Sequence, residues 1–172
     1  FATSSLVAPT TLLEAIGREA EAQVGEFNPQ GLANTAWAFA TSSVVPPALF
    51  GAIGREAVAQ IGKFNPQDLA NTALAFTPSS VVAPALFEAI GREAQAQIGK
   101  FHPHGLANTA WAFASSSLVA PTPFEAIGRE AQAQIGALNP PGLAATAWAF
   151  AAPPPPAQPP PVAGTARAPA AQ

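Results

Sequence analysis

The chain has 172 residues, 49% of them hydrophobic and 10% charged, with a net charge of −3. It contains no cysteine, which excludes disulfides, thiolate metal sites and cysteine nucleophiles. Seven Lys or Arg against ten Asp or Glu lack the basic excess usual in nucleic-acid binders, and no apolar run nears the ~18 residues of a membrane-spanning helix.

From the N-terminus, Phe1-Ala2 aligns with Phe39-Ala40, the end of a helix within a repeating unit, so the array is expected to be truncated there and its targeting peptide missing from this stretch. The block AIGREA then occurs at Ala15, Ala52, Ala89 and Ala126, always 37 residues apart. A second block begins FNPQGLANTAWAFATSS at Phe27 and returns at Phe64, Phe101 and, as LNPPGLAATAWAF, at Leu138. A fixed period of this length marks a stack of supersecondary units, each burying its core against its neighbours. The predicted fold is therefore all-α: a right-handed α-solenoid of antiparallel helix pairs over residues 1–151, four units and about eight helices. Residues 152–172, rich in Pro and Ala, read as an extended, disordered tail.

Each unit reads as helix B followed by helix A. Helix B after Pro84 carries Phe87, Ile90, Ala94 and Ile98 on one face, and Gly25, Gly62, Gly99 and Gly136 occupy C-cap positions. In the first and fourth copies, Thr11 with Glu14 and Thr122 with Glu125 fit capping boxes. The inner glycines Gly17, Gly54, Gly91 and Gly128 flank the apolar stripe, which predicts close helix contacts. Helix A starts at Pro29, Pro66, Pro103 and Pro140, each but His102-Pro103 after an asparagine suited to N-capping, and Asp68 adds an acid at the positive end of the dipole. Leu69, Thr72, Ala73 and Phe76 make its stripe, and Thr77-Pro78-Ser79-Ser80 ends it. The chain has one extra residue between Phe1 and Glu14, placed in a loop. Phe50, Phe87 and Phe124, with Leu13, are predicted to form one buried row.

No enzyme constellation stands out, and no cofactor is expected. His102 and His104 occur in one unit only, and the AIGREA glycines lack the turn and lysine of a phosphate loop. Three ladders remain. Arg18, Arg55, Arg92 and Arg129 recur once per unit; they read either as helix-surface pairs with Glu14, Glu88 and Glu125 or as a stripe tracking phosphates. Asn34, Asn71 and Asn108, with Ala145 in the last unit, either bond the neighbouring repeat or face a ligand. Trp37, Trp111 and Trp148, with Leu74 between them, suit base stacking, although the leucine favours core packing.

The wording NPQ(G/D)LANTAWAFA with LFEAIGREA resembles the helical-repeat family of organellar RNA proteins. These are the octotricopeptide and heptatricopeptide repeat proteins, often carrying a RAP domain, with FAST-kinase-like proteins and the helical domain of an RNA-editing substrate-binding complex subunit. Arrays with this wording occur in GC-rich microalgae and dinoflagellates, consistent with the Ala/Pro bias. The resemblance implies binding of single-stranded RNA in RNA processing or mRNA stability, located in the mitochondrion or chloroplast. On that reading the asparagines reach bases and the four arginines reach phosphates from the edge of helix A. The alternatives are a protein–protein scaffold, its Pro-rich tail serving as a polyproline ligand, or an inactive fragment. Self-association through apolar end units is expected in any of these cases.

Overall fold

The computed structural model describes residues 10–42, 44–79, 81, 83–116 and 121–151. Among the described residues are eight α-helices and no strand: α1 (Thr10–Ala22), α2 (Pro29–Ala40), α3 (Pro47–Ala59), α4 (Pro66–Phe76), α5 (Pro84–Ala96), α6 (Pro103–Ser115), α7 (Pro121–Ala133) and α8 (Pro140–Ala151). The odd-numbered helices are the B helices and the even-numbered the A helices. This is the predicted helical-repeat array. None of these helices is long and apolar enough to cross a membrane. The extra residue before Glu14 and the tail from residue 152 onward lie outside the described residues.

Local chemistry sets the helix starts. Asn28 and Asn65 accept from the backbone N–H of Gly31 and Asp68 at 2.7 and 2.9 Å, and proline stands at the first helical position. Asn139 repeats the cap on Gly142, while His102 makes no side-chain cap bond. Two expectations about helix B are corrected. Thr11 falls one residue inside α1, so it cannot act as the N-cap; the side chain of Thr122 lies outside the described residues. The C-cap glycines are not caps: α5 ends at Ala96, and Ile98–Lys100 forms a 3-10 turn with Gly99 at its centre. Gly25, Gly62 and Gly136 occupy the same place in their turns, and none of the four adopts the left-handed backbone a cap glycine supplies. The tighter turn lets Phe64 N–H bond back to the Ile61 carbonyl at 3.1 Å, so the chain enters the next A helix after two extended residues, Phe64 and Asn65.

The core lies between an A layer and a B layer. Leu32, Leu69 and Leu106 are completely buried, as are Ala36, Ala73 and Ala110. Phe50 and Phe87 are buried and meet Phe76 and Phe113 edge-on, with ring centroids 5.2 and 5.5 Å apart. The predicted row thus holds at its centre, while Leu13 and Phe124 at its ends are half-buried. The inner glycines do admit close contacts: a β-carbon on Gly17 would sit 3.2 Å from Pro46 Cγ, and one on Gly54 would sit 3.5 Å from the Phe76 ring. Large apolar side chains are exposed mainly at the two ends, namely Leu12 and Ile16 on α1, with Ile135, Leu143 and Phe150 in the last unit.

The two layers are not equally close-packed. Successive A helices pack along one another more extensively than successive B helices. Small residues permit this: Ala33, Ala70 and Ala107 on the A flanks are 1–2% exposed, and Thr72 and Thr109 are completely buried. The A helices therefore form the more closely packed of the two layers.

Candidate nucleic-acid interface

In α2, Leu32, Ala36 and Phe39 face the B layer and are buried. At about 100° per residue, Asn34 lies about 200° around the helix from Leu32, so it points away from the B layer, onto the outer face of the A layer. Asn71 and Asn108 repeat that position; Asn34 is exposed and the other two are half-buried. None of the three side chains makes a hydrogen bond among the described residues. Of the two readings left open, bonding to the neighbouring repeat is therefore not the one the structure adopts. Ala145, in the same register, is buried.

Each asparagine has two companions on its face. One turn earlier stand Gln30, Gln67, His104 and Pro141, all exposed. Three residues later stand Trp37, Leu74, Trp111 and Trp148. Their exposure varies along the row: Trp37 is 37% exposed, whereas Trp111 is 5% exposed, its indole against that of Trp148 at 5.9 Å. Packing and presentation are thus divided among copies of one position. The first three units each present an amide and a polar neighbour here, while the large apolar position is exposed at Trp37, half-buried at Leu74 and Trp148 and buried at Trp111.

The bonds that do join the repeats come from glutamines in helix B and its following turn. Gln60 donates to the Phe27 carbonyl at 3.0 Å, Gln97 to that of Phe64 at 2.8 Å, and Gln134 to that of Phe101 at 3.1 Å. The same amide nitrogens donate to Glu56, Glu93 and Glu130 at 2.6, 2.6 and 2.8 Å. Gln23 bonds Glu19 alone. The E-A-x-A-Q spacing in every AIGREA block was the available signal, since residues four apart share a helix face.

That ladder also occupies the glutamates that follow the arginines. The expected pairs of Glu14 with Arg18, Glu88 with Arg92 and Glu125 with Arg129 do not form; no ion pair within 4 Å occurs among the described residues. All four arginines are exposed. Arg55 lies about 140° from the buried Phe50 around α3, pointing away from the A layer. The asparagine and arginine ladders therefore stand on opposite outer faces. A strand whose bases meet Asn34, Asn71 and Asn108 cannot have its phosphates on Arg18, Arg55, Arg92 and Arg129, which corrects the expectation that the arginines flank helix A. The A helices themselves carry no Lys or Arg and one acid, Asp68. Lys63 and Lys100, exposed in the turns before α4 and α6, are the nearest cations in chain order.

Asp68 closes a capping box, accepting from the Asn65 N–H at 3.3 Å, yet it is 6% exposed. Burial raises its pKa from the ordinary aspartate value, outweighing the Asn65 hydrogen bond that acts the other way. The folded state then holds this proton more tightly than the unfolded chain. Its contribution is most favourable at acid pH and declines as pH rises from about 4 through the raised value. Asp68→Asn should match the parent in thermal stability below about pH 3 and gain on it toward neutrality; a gap constant across that range would contradict the assignment.

No protein-family model matches this chain, and no curated protein matches it. The likeness to organellar helical-repeat proteins rests on the repeat wording itself.

Proposed function

We propose that this array is an RNA-binding helical-repeat segment of an organellar RNA processing or mRNA stability protein, acting in the mitochondrion or chloroplast without a catalytic step or cofactor. The observation that carries the reading is the row Asn34, Asn71 and Asn108: three amides in one register on the outer face of the A layer, each without a protein partner among the described residues. Helical-repeat RNA readers use two or three side chains per unit to hold one base, with hydrogen bonds on the base edge and stacking beside it. The amide, its neighbour one turn back and Trp37 or Leu74 three residues on supply that set in the first two units; in the third, Trp111 is buried against Trp148 and Asn108 with His104 remain.

Because the A helices lack Lys and Arg, affinity on this reading comes mainly from base contacts. Titration of single-stranded RNA at two salt concentrations tests it. Replacing all three asparagines by alanine should weaken binding by about 3 kcal/mol, taking about 1 kcal/mol per lost bond, which is roughly a hundredfold. Replacing the four arginines by alanine should leave the salt slope nearly unchanged, since counterion release reports phosphate contacts only. Full affinity in the asparagine variant would overturn the reading.

The uncharged outer face of the A layer favours one second reading, an extended peptide held by the same amides on a protein–protein scaffold. The exposed apolar ends add self-association to either reading, visible as concentration-dependent sedimentation.

A further inference from the structure

The second B helix departs from the other three at two positions around its arginine. Four residues before it, Glu14, Glu88 and Glu125 are replaced by Gly51; three residues after it, Glu21, Gln95 and Gln132 are replaced by Val58. Positions i−4 and i+3 share the helix face of residue i. Both changes therefore remove polar cover from the surroundings of Arg55 and from no other arginine in the array.

The structure places a cavity of about 410 Å³ there, between α3 and α5. Val58, Val81, Ala83 and Pro84 supply partly exposed apolar walls over buried Phe50 and Leu86, and Arg55 is the one charged residue in its lining. A β-carbon at Gly51 would meet only the Arg55 guanidinium, at 3.5 Å, so a longer side chain at this position would stand beside the arginine at the mouth. Arg55 is exposed and makes no hydrogen bond or ion pair among the described residues. The volume falls within the range of small-molecule sites, which are mostly apolar with a few placed polar groups. A guanidinium at the rim offers two parallel N–H donors, a fork that matches a carboxylate or phosphate.

We infer that this cavity binds an amphipathic anion, its carboxylate or phosphate head on Arg55 and its apolar tail between α3 and α5. The site lies on the B layer, away from the asparagine row, and does not depend on the RNA reading. A fatty acid and an alkyl phosphate share the required chemistry and differ in the head group.

Calorimetric titration of the full chain with decanoate, decyl phosphate and decanol, below micelle-forming concentrations, tests the inference. One or both anions should bind at least tenfold more tightly than decanol, and the tighter anion identifies the head group. Gly51→Glu restores beside Arg55 the acid of the other units and should weaken the anions at least tenfold. The substitution introduces no backbone clash, so its unfolding temperature should not fall. Arg55→Gln should also abolish the preference for anions over decanol. Binding of decanol as tight as that of the anions, no binding of any probe, or anion binding unchanged in both variants would overturn the inference. RNA titration of Gly51→Glu should give the parent affinity, which separates this site from the asparagine row.

Discussion

Phe76→Ala is expected to destabilise the array by about 3–5 kcal/mol, the usual range for removing a buried phenylalanine. The ring is 3% exposed, meets Phe50 at 5.2 Å and 71°, and fills the space beside Gly54. Alanine would leave a void between α3 and α4 that stiff helices cannot close, and part of the loss would be the aromatic pair itself, about 0.5–1.5 kcal/mol. A domain with about 5–15 kcal/mol of total stability loses much of its margin by this one change. Phe150 provides the comparison. It holds the same register in the last unit and packs on Phe124 at 4.3 Å, but it is 41% exposed. Phe150→Ala should cost well under half as much in urea denaturation. Equal losses at the two positions would mean that the core does not run through the middle of the stack as described.

The second large effect is expected from Gln97→Ala, at about 1–3 kcal/mol. One side-chain nitrogen there holds two acceptors, Glu93 at 2.6 Å and the Phe64 carbonyl in the preceding unit at 2.8 Å. Truncation leaves a part-buried carbonyl and a carboxylate without this donor, and an unsatisfied group costs more than an average bond contributes. In a solenoid, stability is the sum of unit terms and neighbour terms. This substitution strikes a neighbour term, so unfolding should broaden as well as shift. Gln23→Ala removes a bond to Glu19 only, on an exposed surface, and should cost less than about 0.5 kcal/mol. A Gln97 variant as stable and as cooperative as the Gln23 variant would show that the ladder does not couple the repeats.

The sequence by itself determined the features that are local and repeated. Proline after asparagine starts α2, α4 and α8 because those residues satisfy a helix N-terminus within four positions of chain. The three-four spacing of Leu69, Ala73 and Phe76 picks out a buried stripe for the same reason, and four copies of one pattern imply stacking. The tertiary structure decided what depends on a neighbour. Trp37 and Trp111 share a position in the repeat, yet one is exposed and the other buried, because Trp148 of the next unit covers Trp111. Gln97 reads as a surface residue until the preceding unit brings the Phe64 carbonyl within 2.8 Å of it, across 33 residues of chain. Glycine after helix B reads as a left-handed cap, but the next helix starts so soon that the chain tightens into a 3-10 turn instead. Asparagine and arginine ladders of equal period look like parts of one surface. Only the packing of two layers shows that they face opposite ways, since a period fixes distance along the stack and carries no information about direction around it.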